Sequence, residues 1–163
     1  MNLIEGFVYM MGDDINTDDI VPSYALTLRD ECKMAQCACE TVDRNFAQKT
    51  EKLNIIMAGE NFGCGSSREE AVNVFKILGI KAIIARSFAR IYFRNLINQG
   101  IPGITLEWKK TDFSKGDHLE IELEKGILRN ITQNKILRFS QLPEFLLNIL
   151  EEGGVIPKLK NSL

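Results

Sequence analysis

The sequence predicts a single α/β domain over residues 1–163, and three observations support that fold class. Short apolar runs at 53–58 and 81–85 are typical of buried strands. Each run is followed by a helical spacing of apolar residues that stops at a glycine, Gly79 or Gly100. The 163 residues also suffice for one hydrophobic core and leave little room for a second. The alternation of strands and helices therefore indicates an α/β layer through the middle of the chain.

The N-terminal part is predicted to hold one strand and one helix. Residues 3–10 have the pattern of a short strand, and the polar segment 12–19 after it is predicted to be a loop with four aspartates. This density of acid admits a calcium site, but the EF-hand pattern is missing, so we favour side chains that cap their own backbone. Residues 24–30 look irregular, and 31–46 is predicted to be helical over part of its length.

Two helices follow the apolar runs, at 69–78 and 88–99. Arg86, Arg90 and Arg94 recur every four residues, a spacing that places them on one face of the second helix. A charged stripe of this kind is usually a solvated helix face. The alternative is that it binds an acidic partner or ligand.

The C-terminal part is predicted to contain a hairpin, a final helix and a tail. Residues 119–123 alternate apolar and polar side chains, and 127–131 can return beside them after a glycine turn. Residues 143–150 form the last predicted helix. We expect the core to extend over residues 1–157 and the tail at 158–163 to be frayed.

Composition limits the classes of partner. A formal net charge of −2 and an isoelectric point near 5.5 argue against nucleic-acid binding, which rests on a basic surface. No segment approaches the ~20 apolar residues that cross a bilayer, so we expect no membrane partner. The stretch Met1–Glu5 lacks a basic region followed by an apolar one, from which we expect a cytoplasmic protein.

The four cysteines are Cys32, Cys37, Cys39 and Cys64. Their spacing does not match that of common zinc or iron–sulfur sites, so we expect no metal and no cofactor held by this chain. Reduced, partly buried thiols are the favoured interpretation in a reducing compartment. The role of the cluster of three at 32–39 stays open.

The glycine-rich segment 59–70 is the most informative part of the chain. Ser66 and Ser67 each stand three residues before a glutamate, the spacing of a capping box at a helix start. A cap does not need both serines, nor does it need Gly63 and Gly65, which let a ligand approach the backbone closely. Amides at a helix start, together with an arginine, favour an anion such as a carboxylate.

Two other functions remain as weaker alternatives for this segment. Nucleotide binding is disfavoured because the segment has neither a Walker-type ending nor the third glycine of the dinucleotide fingerprint. A Ser-His-Asp hydrolase would depend on His118, the only histidine, which is more simply explained as an exposed hairpin residue. Activation of Ser66 is therefore expected to come from cationic or metal surroundings.

Three segments carry a further signal: DDINTDDIVP at 13–22, GENFGCGSSRE at 59–69 and ARSFARI at 85–91. Together and in this order they resemble the small subunit of the isopropylmalate dehydratase and homoaconitase group, a separate-chain form of the aconitase swivelling domain. The resemblance implies an aconitase-like swivelling β/β/α fold in a single compact α/β domain. It also implies a large-subunit partner that carries a four-iron four-sulfur cluster, in a heterodimer or heterotetramer. When isolated from that partner, the chain is expected to be able to form a homo-oligomer.

The resemblance assigns roles residue by residue. Ser66 matches the catalytic serine that removes a proton from carbon, and Ser67 and Arg68 match positions that hold a substrate carboxylate. Thr17 and Asp18 match the other site positions, Thr17 with a role in substrate binding and Asp18 in catalysis. A small di- or tricarboxylate is then the expected substrate.

Substrate choice in this group is made by a short loop, which here is the segment 24–27. Leu26 occupies the discriminating position, and an apolar side chain there cannot pair with a distal carboxylate. Arg29 lies three residues on and reverses that preference if it points inward. The sequence therefore favours isomerisation of 2-isopropylmalate and 3-isopropylmalate, a step of leucine biosynthesis. A dehydratase for dimethylmalate, homoaconitate or citrate is one alternative, and a non-catalytic ligand-binding or interaction domain is another.

Overall fold

The computed structural model describes residues 3–163, and over that range the chain forms one seven-stranded mixed sheet with helices on its faces. The strands in chain order are β1 (Ile4–Met10), β2 (Ile55–Ala58), β3 (Ala82–Ala85), β4 (Gly103–Thr105), β5 (His118–Glu122), β6 (Ile127–Asn130) and β7 (Lys135–Arg138). The helices are α1 (Thr17–Ile20), α2 (Glu31–Gln36), α3 (Phe46–Lys49), α4 (Glu70–Ile77), α5 (Arg90–Asn98), α6 (Glu144–Glu151) and α7 (Val155–Ser162). A 3₁₀ helix at Ser23–Thr27 lies between α1 and α2.

The sheet has a parallel half and an antiparallel half that share β1. Its order is β4-β3-β2-β1-β5-β6-β7. The strands β1 to β4 run parallel, with Tyr9 opposite Ile56, whereas β1, β5, β6 and β7 run antiparallel, with Gly6 opposite Leu119. The sequence-based prediction of an α/β layer followed by a hairpin is therefore confirmed.

Strands of the parallel half are buried on both faces, which explains their uninterrupted apolar sequences. Ile56 and Ile83 belong to one core cluster, together with the aromatic side chains of Phe46 and Phe75. The alternate residues of the same strands, such as Ile84, belong to a second cluster on the opposite face. The first cluster is packed by α2, α4 and α5, and it is the one that supports the glycine-rich segment.

Several elements differ from the sequence-based expectation. The segment 12–19 is not entirely a loop, because Asn16 caps the short helix α1 in a reciprocal capping box with Asp19. The segment 31–46 is helical over part of its length, as expected: α2 covers its beginning, turns follow, and α3 starts at Phe46. The strands β4 and β7 were not expected. Both are short edge strands, and each pairs with a single neighbour, β4 with β3 and β7 with β6.

Most of the tail at 158–163 lies within helix α7 (Val155–Ser162), and the expected fraying of this tail stays a prediction. Gly154 precedes the helix with φ 129°, and Pro157 stands in its first turn, where a missing backbone N–H is tolerated. None of the side chains of α7 is buried, so the helix adds little to the core. Within residues 3–163, none of the helices has the length and apolar character needed to cross a bilayer.

Candidate active site

The glycine-rich segment is joined to helix α1 by hydrogen bonds from one threonine. The backbone N–H of Thr17 donates to the carbonyl oxygen of Cys64 at 2.9 Å, and its hydroxyl donates to the carbonyl oxygen of Ser66 at 2.8 Å. Thr17 is buried. Gly65 has φ 96°, and a Cβ atom at this position would lie 3.3 Å from the hydroxyl oxygen of Thr17. The backbone that carries Ser66 is therefore held against α1 rather than free in solvent.

Neither serine caps the following helix. Helix α4 begins at Glu70, and the residue before it, Glu69, makes no side-chain cap hydrogen bond. Ser66 and Ser67 lie in irregular backbone upstream of the helix, so the capping-box explanation of these serines is wrong. The hydroxyl groups of both serines have no hydrogen-bond partner within residues 3–163, which leaves them available to a ligand.

The first turn of α5 is attached to the same segment. Phe62 and Phe88 form an isolated parallel bridge, and the N–H of Ala89 donates to the carbonyl oxygen of Phe62 at 2.9 Å. The ring of Tyr92 packs against Gly63, where a Cβ atom would overlap it, and Gly63 adopts φ 83°. This contact explains the first spaced glycine of the motif: it permits the close approach of α5.

These attachments create a cavity of about 390 Å³ beside Ser66. Two arginines and no acidic side chain line it, so the surface presented to a ligand is cationic. Its apolar part comes from the first turn of α5. The lining residues are Thr17, Gly63, Gly65, Ser66, Ser67, Arg68, Ala89, Arg90, Ile91, Tyr92 and Asn95.

Arg68 is the cation next to the serines. Its Nη1 atom lies 2.8 Å from the Oδ1 atom of Asp18, whose side chain is 62% exposed. The contact is an ion pair without hydrogen-bond alignment, because Nη1 is buried and its N–H groups reach no acceptor within the described residues. A buried donor that lacks an acceptor is costly, so this guanidinium is poised to accept an anionic ligand.

The thiol at the centre of the glycine motif is not a candidate nucleophile. Burial raises the pKa of Cys64, and the nearby charge of Asp14 raises it further, so the thiolate is disfavoured. Cys64 is also absent from the cavity lining. All four cysteines are free thiols, as expected, although Cys32 is exposed rather than partly buried.

The acidic side chains of the segment 13–19 are used locally. Asp13 accepts a hydrogen bond from the N–H of Glu60 at 2.7 Å, and Asp14 accepts one from the side chain of Asn61 at 3.1 Å. These bonds tie the first motif to the second and favour local hydrogen bonding over a calcium site.

Three of the sequence-predicted residues lie away from the cavity. Leu26 sits in the 3₁₀ helix, half-buried against the core, and Arg29 is exposed after it. His118 lies in β5, where its ring stacks on Phe7 and its Nε2 atom is 2.9 Å from Glu5. Because His118 does not line the cavity, the structure does not support a Ser-His pair.

Ile91 and Asn95 line the cavity although sequence reasoning did not single them out as site residues. Arg90 also lines it, and the sequence analysis named this residue only as part of the arginine stripe, with binding of an acidic ligand as the alternative to a solvated face. The arginine stripe was the available signal, but it grouped side chains with different surroundings. Arg86 precedes α5; its guanidinium lies 4.3 Å from the centroid of the Trp108 ring, and its Nε–H donates to the Trp108 carbonyl oxygen.

The chain is similar in sequence and in fold to several known proteins. The model of the aconitase C-terminal domain matches residues 11–110. The 3-isopropylmalate dehydratase small subunit 1 of Thermotoga maritima is 46% identical over 159 residues, 97% of this chain and 95% of the relative. The isopropylmalate/citramalate isomerase small subunit of Methanocaldococcus jannaschii is 41% identical over 162 residues, 99% of this chain and 96% of the relative. A crystal structure of 3-isopropylmalate dehydratase from M. jannaschii superposes with a TM-score of 0.91 at 39% identity, covering 99% of this chain and 95% of that one.

Proposed function

This chain belongs to the aconitase C-terminal domain family, and from that premise we propose that it is the small subunit of a hydro-lyase that interconverts 2-isopropylmalate and 3-isopropylmalate. Loss of water from either acid gives one unsaturated diacid, and readdition of water moves the hydroxyl by one carbon. The observation that carries the proposal is the cavity that brings together the unpartnered hydroxyl of Ser66, the side chain of Arg68, whose buried Nη1 atom has no hydrogen-bond acceptor within the described residues, and a second arginine. A dianionic acid complements such a cavity.

We assign Ser66 as the base that removes the proton from carbon. The Ser66 hydroxyl has no hydrogen-bond partner within residues 3–163, and the Thr17 hydroxyl donates to the backbone carbonyl oxygen of Ser66. The side chain is therefore fixed in position and still able to bond to a substrate. A serine alkoxide is strongly disfavoured in water, and the positive charge of Arg68 stabilises it in the cavity. Transfer of the carbon-bound proton to the alkoxide oxygen of Ser66 leaves the electron pair of the broken C–H bond on the substrate. That pair forms the C=C bond as the adjacent C–O bond breaks, and the pair of the C–O bond leaves with the hydroxide.

We assign substrate binding to the residues beside Ser66. Arg68 presents a planar fork of donors that suits a carboxylate, and the free hydroxyl of Ser67 adds a donor. Asp18 forms an ion pair with Arg68 and orients the guanidinium of Arg68, which supports the assignment of Asp18 to catalysis. Thr17 acts through the backbone of the glycine segment.

The proposal includes a large subunit that carries a four-iron four-sulfur cluster. Relatives of this chain are named small subunits, which supports a partner chain. When bound, the cluster supplies a Lewis acid for the substrate hydroxyl. The assembly as a heterodimer or heterotetramer and the cytoplasmic location stay predictions, as does the single-domain organisation of residues 1–163.

A second candidate substrate is citramalate, because the M. jannaschii relative is named for both acids. Leu26 and Arg29 remain predicted specificity residues: Leu26 is apolar and half-buried, as a residue beside an alkyl substituent is expected to be. Neither lines the cavity of the isolated chain. An assay of isopropylmalate, citramalate, dimethylmalate, homoaconitate and citrate in parallel separates these substrates.

The test is reconstitution with the large subunit of the same organism and an intact cluster. The Ser66→Ala complex is expected to assemble normally and to lose at least about 10²-fold in kcat, because the proton-abstracting group is gone. Ser140→Ala, a change at an exposed serine outside the cavity, is the matched control and should retain activity.

Two results would contradict the proposal. Retained turnover in the Ser66→Ala complex would refute the base assignment. A wild-type complex that assembles but neither removes water from nor adds water to any of the five acids would refute the hydro-lyase function and favour a non-catalytic binding domain.

A further inference from the structure

Three stretches of backbone meet beside the cavity, one from each motif of the sequence. They are residues 13–17, 59–64 and 86–89. The middle stretch leads on to Ser66, and the hydrogen bonds of Asn61 reach both of the outer stretches. On the basis of the proposed function, we propose that Asn61, through its side-chain bond to Asp14, is a positioning residue that sets the place of Ser66 in the cavity.

Asn61 has a backbone conformation that side chains disfavour. Within residues 3–163, four residues other than glycine have a left-handed φ: Asp14 at 53°, Cys39 at 53°, Asn61 at 58° and Asn134 at 55°. Asparagine and aspartate adopt this conformation more readily than other residues with a Cβ atom, but it still costs free energy. Two of the four lie in the motifs and bond to each other, so the surroundings of the site hold both in place.

Three hydrogen bonds fix this pair. The Nδ2 atom of Asn61 donates to the Oδ1 atom of Asp14 at 3.1 Å, and the backbone N–H of Asp14 donates to the carbonyl oxygen of Glu60 at 2.8 Å. On the other side, the backbone N–H of Asn61 donates to the Oγ atom of Ser87 at 2.7 Å. The turn at 60–61 is therefore held between the first and the third motif.

A short, fixed stretch of backbone joins this turn to Ser66. The N–H of Gly63 donates to the carbonyl oxygen of Ile15 at 2.7 Å, and the carbonyl oxygen of Cys64 accepts from the N–H of Thr17 at 2.9 Å. Both bonds hold the stretch against residues 13–17, which Asn61 contacts through Asp14. Because Asn61 does not line the cavity, it acts on the reaction only through the place of the serine.

The stability of the core does not explain this pair. Asp14 and Asn61 are both exposed, and water can replace a hydrogen bond at the surface, so the bond contributes little to the free energy of unfolding. Disfavoured backbone conformations that persist next to a reacting group are typical of a positioning task.

Asn61→Gly isolates the side-chain bond from the backbone conformation, because glycine adopts φ 58° readily. In the reconstituted complex we expect kcat for 3-isopropylmalate to fall about tenfold or more, since a displacement on the order of 1 Å costs up to about 10²-fold in rate. KM should change less than about threefold, because Arg68 keeps its ion pair with Asp18 and no contact to the substrate is lost.

Asn134→Gly is the matched control. Asn134 is also exposed, has φ 55° and lies between β6 and β7, outside the cavity lining. The same side chain is removed and the same flexibility is gained, so kcat should stay within about twofold of wild type, as expected of a surface change away from the site.

Asp14 tests the same bond from the other side. Asp14→Gly removes the acceptor and permits φ 53°, so kcat should fall as it does in Asn61→Gly. Asp14→Asn keeps a side-chain oxygen as acceptor and should restore most of the kcat that Asp14→Gly loses. The double variant Asn61→Gly/Asp14→Gly should be no more than about twofold slower than either single variant, because both changes remove one bond. Independent weakening of two loops would instead multiply the two losses.

The outcomes separate this inference from the proposed function. If wild type is active but Asn61→Gly keeps the kcat of Asn134→Gly, or if Asp14→Asn is as slow as Asp14→Gly, the inference is wrong and the function stands. If Asn61→Gly regains full kcat at saturating large subunit, Asn61 is a contact of that partner and the inference is again wrong. A loss of kcat that only follows the fraction of unfolded chain, measured by circular dichroism, would overturn it too. An inactive wild-type complex overturns both.

Discussion

Replacing Gly63 by alanine tests the close approach of helix α5 to the glycine-rich segment. Gly63 has φ 83°, in the left-handed region that side chains disfavour. A Cβ atom there would lie 2.5 Å from the Cβ atom of Tyr92 and would overlap ring atoms Cγ and Cδ2 as well. The ring cannot move aside easily, because Tyr92 is buried and its hydroxyl is bonded to Ala71.

Two costs combine in this substitution. The left-handed backbone costs an alanine about 1–2 kcal/mol, and forced overpacking in a core adds about 1–3 kcal/mol. Gly79 isolates the first cost: its φ is 79°, and a Cβ atom there meets nothing within 4 Å. We therefore expect Gly63→Ala to lower the free energy of unfolding by about 2–5 kcal/mol, and Gly79→Ala by about 1–2 kcal/mol.

Urea unfolding monitored by circular dichroism measures both free energies on the isolated chain. Thermal unfolding should give the same order, at about 2–4 °C per kcal/mol for a chain of this size. The Gly63 variant should also lose turnover in the reconstituted complex, since its overlap displaces the wall that carries Arg90. Equal destabilisation by the two alanines would refute the reasoning, because the contact with Tyr92 is what distinguishes them.

Two further predictions concern stability away from the cavity. The hydrogen bond from Lys49, with a second from Tyr9, lowers the pKa of Asp43 from 3.8 to about 2. Because the pKa of Asp43 is lower in the folded state, Asp43 stabilises the fold above about pH 4, and that contribution is lost as the pH falls toward 2. The difference in urea midpoint between wild type and Asp43→Asn should therefore shrink over this pH range. A difference that stays constant would contradict the prediction. The indole N–H of Trp108 donates to the carbonyl oxygen of Ala58 at 2.9 Å. Trp108→Phe removes this donor and should lower the free energy of unfolding by about 1–3 kcal/mol. An unchanged urea midpoint would contradict a stabilising role of this hydrogen bond.

Local sequence patterns predicted the strands and helices that alternate along the middle of the chain. The helices expected at 69–78 and 88–99 are observed at Glu70–Ile77 and Arg90–Asn98, and the buried strands differ by one or two residues at their ends. Their periodicity is a property of the segment itself, since an amphipathic helix buries one face wherever it packs. Their end residues depend on neighbours, which is why the bounds moved.

Short elements escaped the sequence analysis because their structure is imposed from outside. Strand β4 has three residues and is extended because it pairs with β3. Ser66 and Ser67 satisfy a capping-box spacing, yet the chain is held by Thr17 in another conformation before α4 begins. Spacing alone does not specify backbone dihedral angles, so a capping pattern does not by itself locate a helix start.

The sequence by itself determined the fold class, the family and the motif that carries Ser66 and Arg68, because apolar periodicity and linear motifs are properties of neighbouring residues. Only the tertiary structure decided which side chains face that motif. Arg86, Arg90 and Arg94 share a spacing of four residues, but Arg86 is stacked on Trp108 and only Arg90 lines the cavity. The physical reason is that a site is formed by elements distant in sequence, whose packing depends on contacts such as that between Gly63 and Tyr92. The glycine-rich segment therefore names the chemistry, and its packing against α1 and α5 forms the cavity in which we propose that the chemistry takes place.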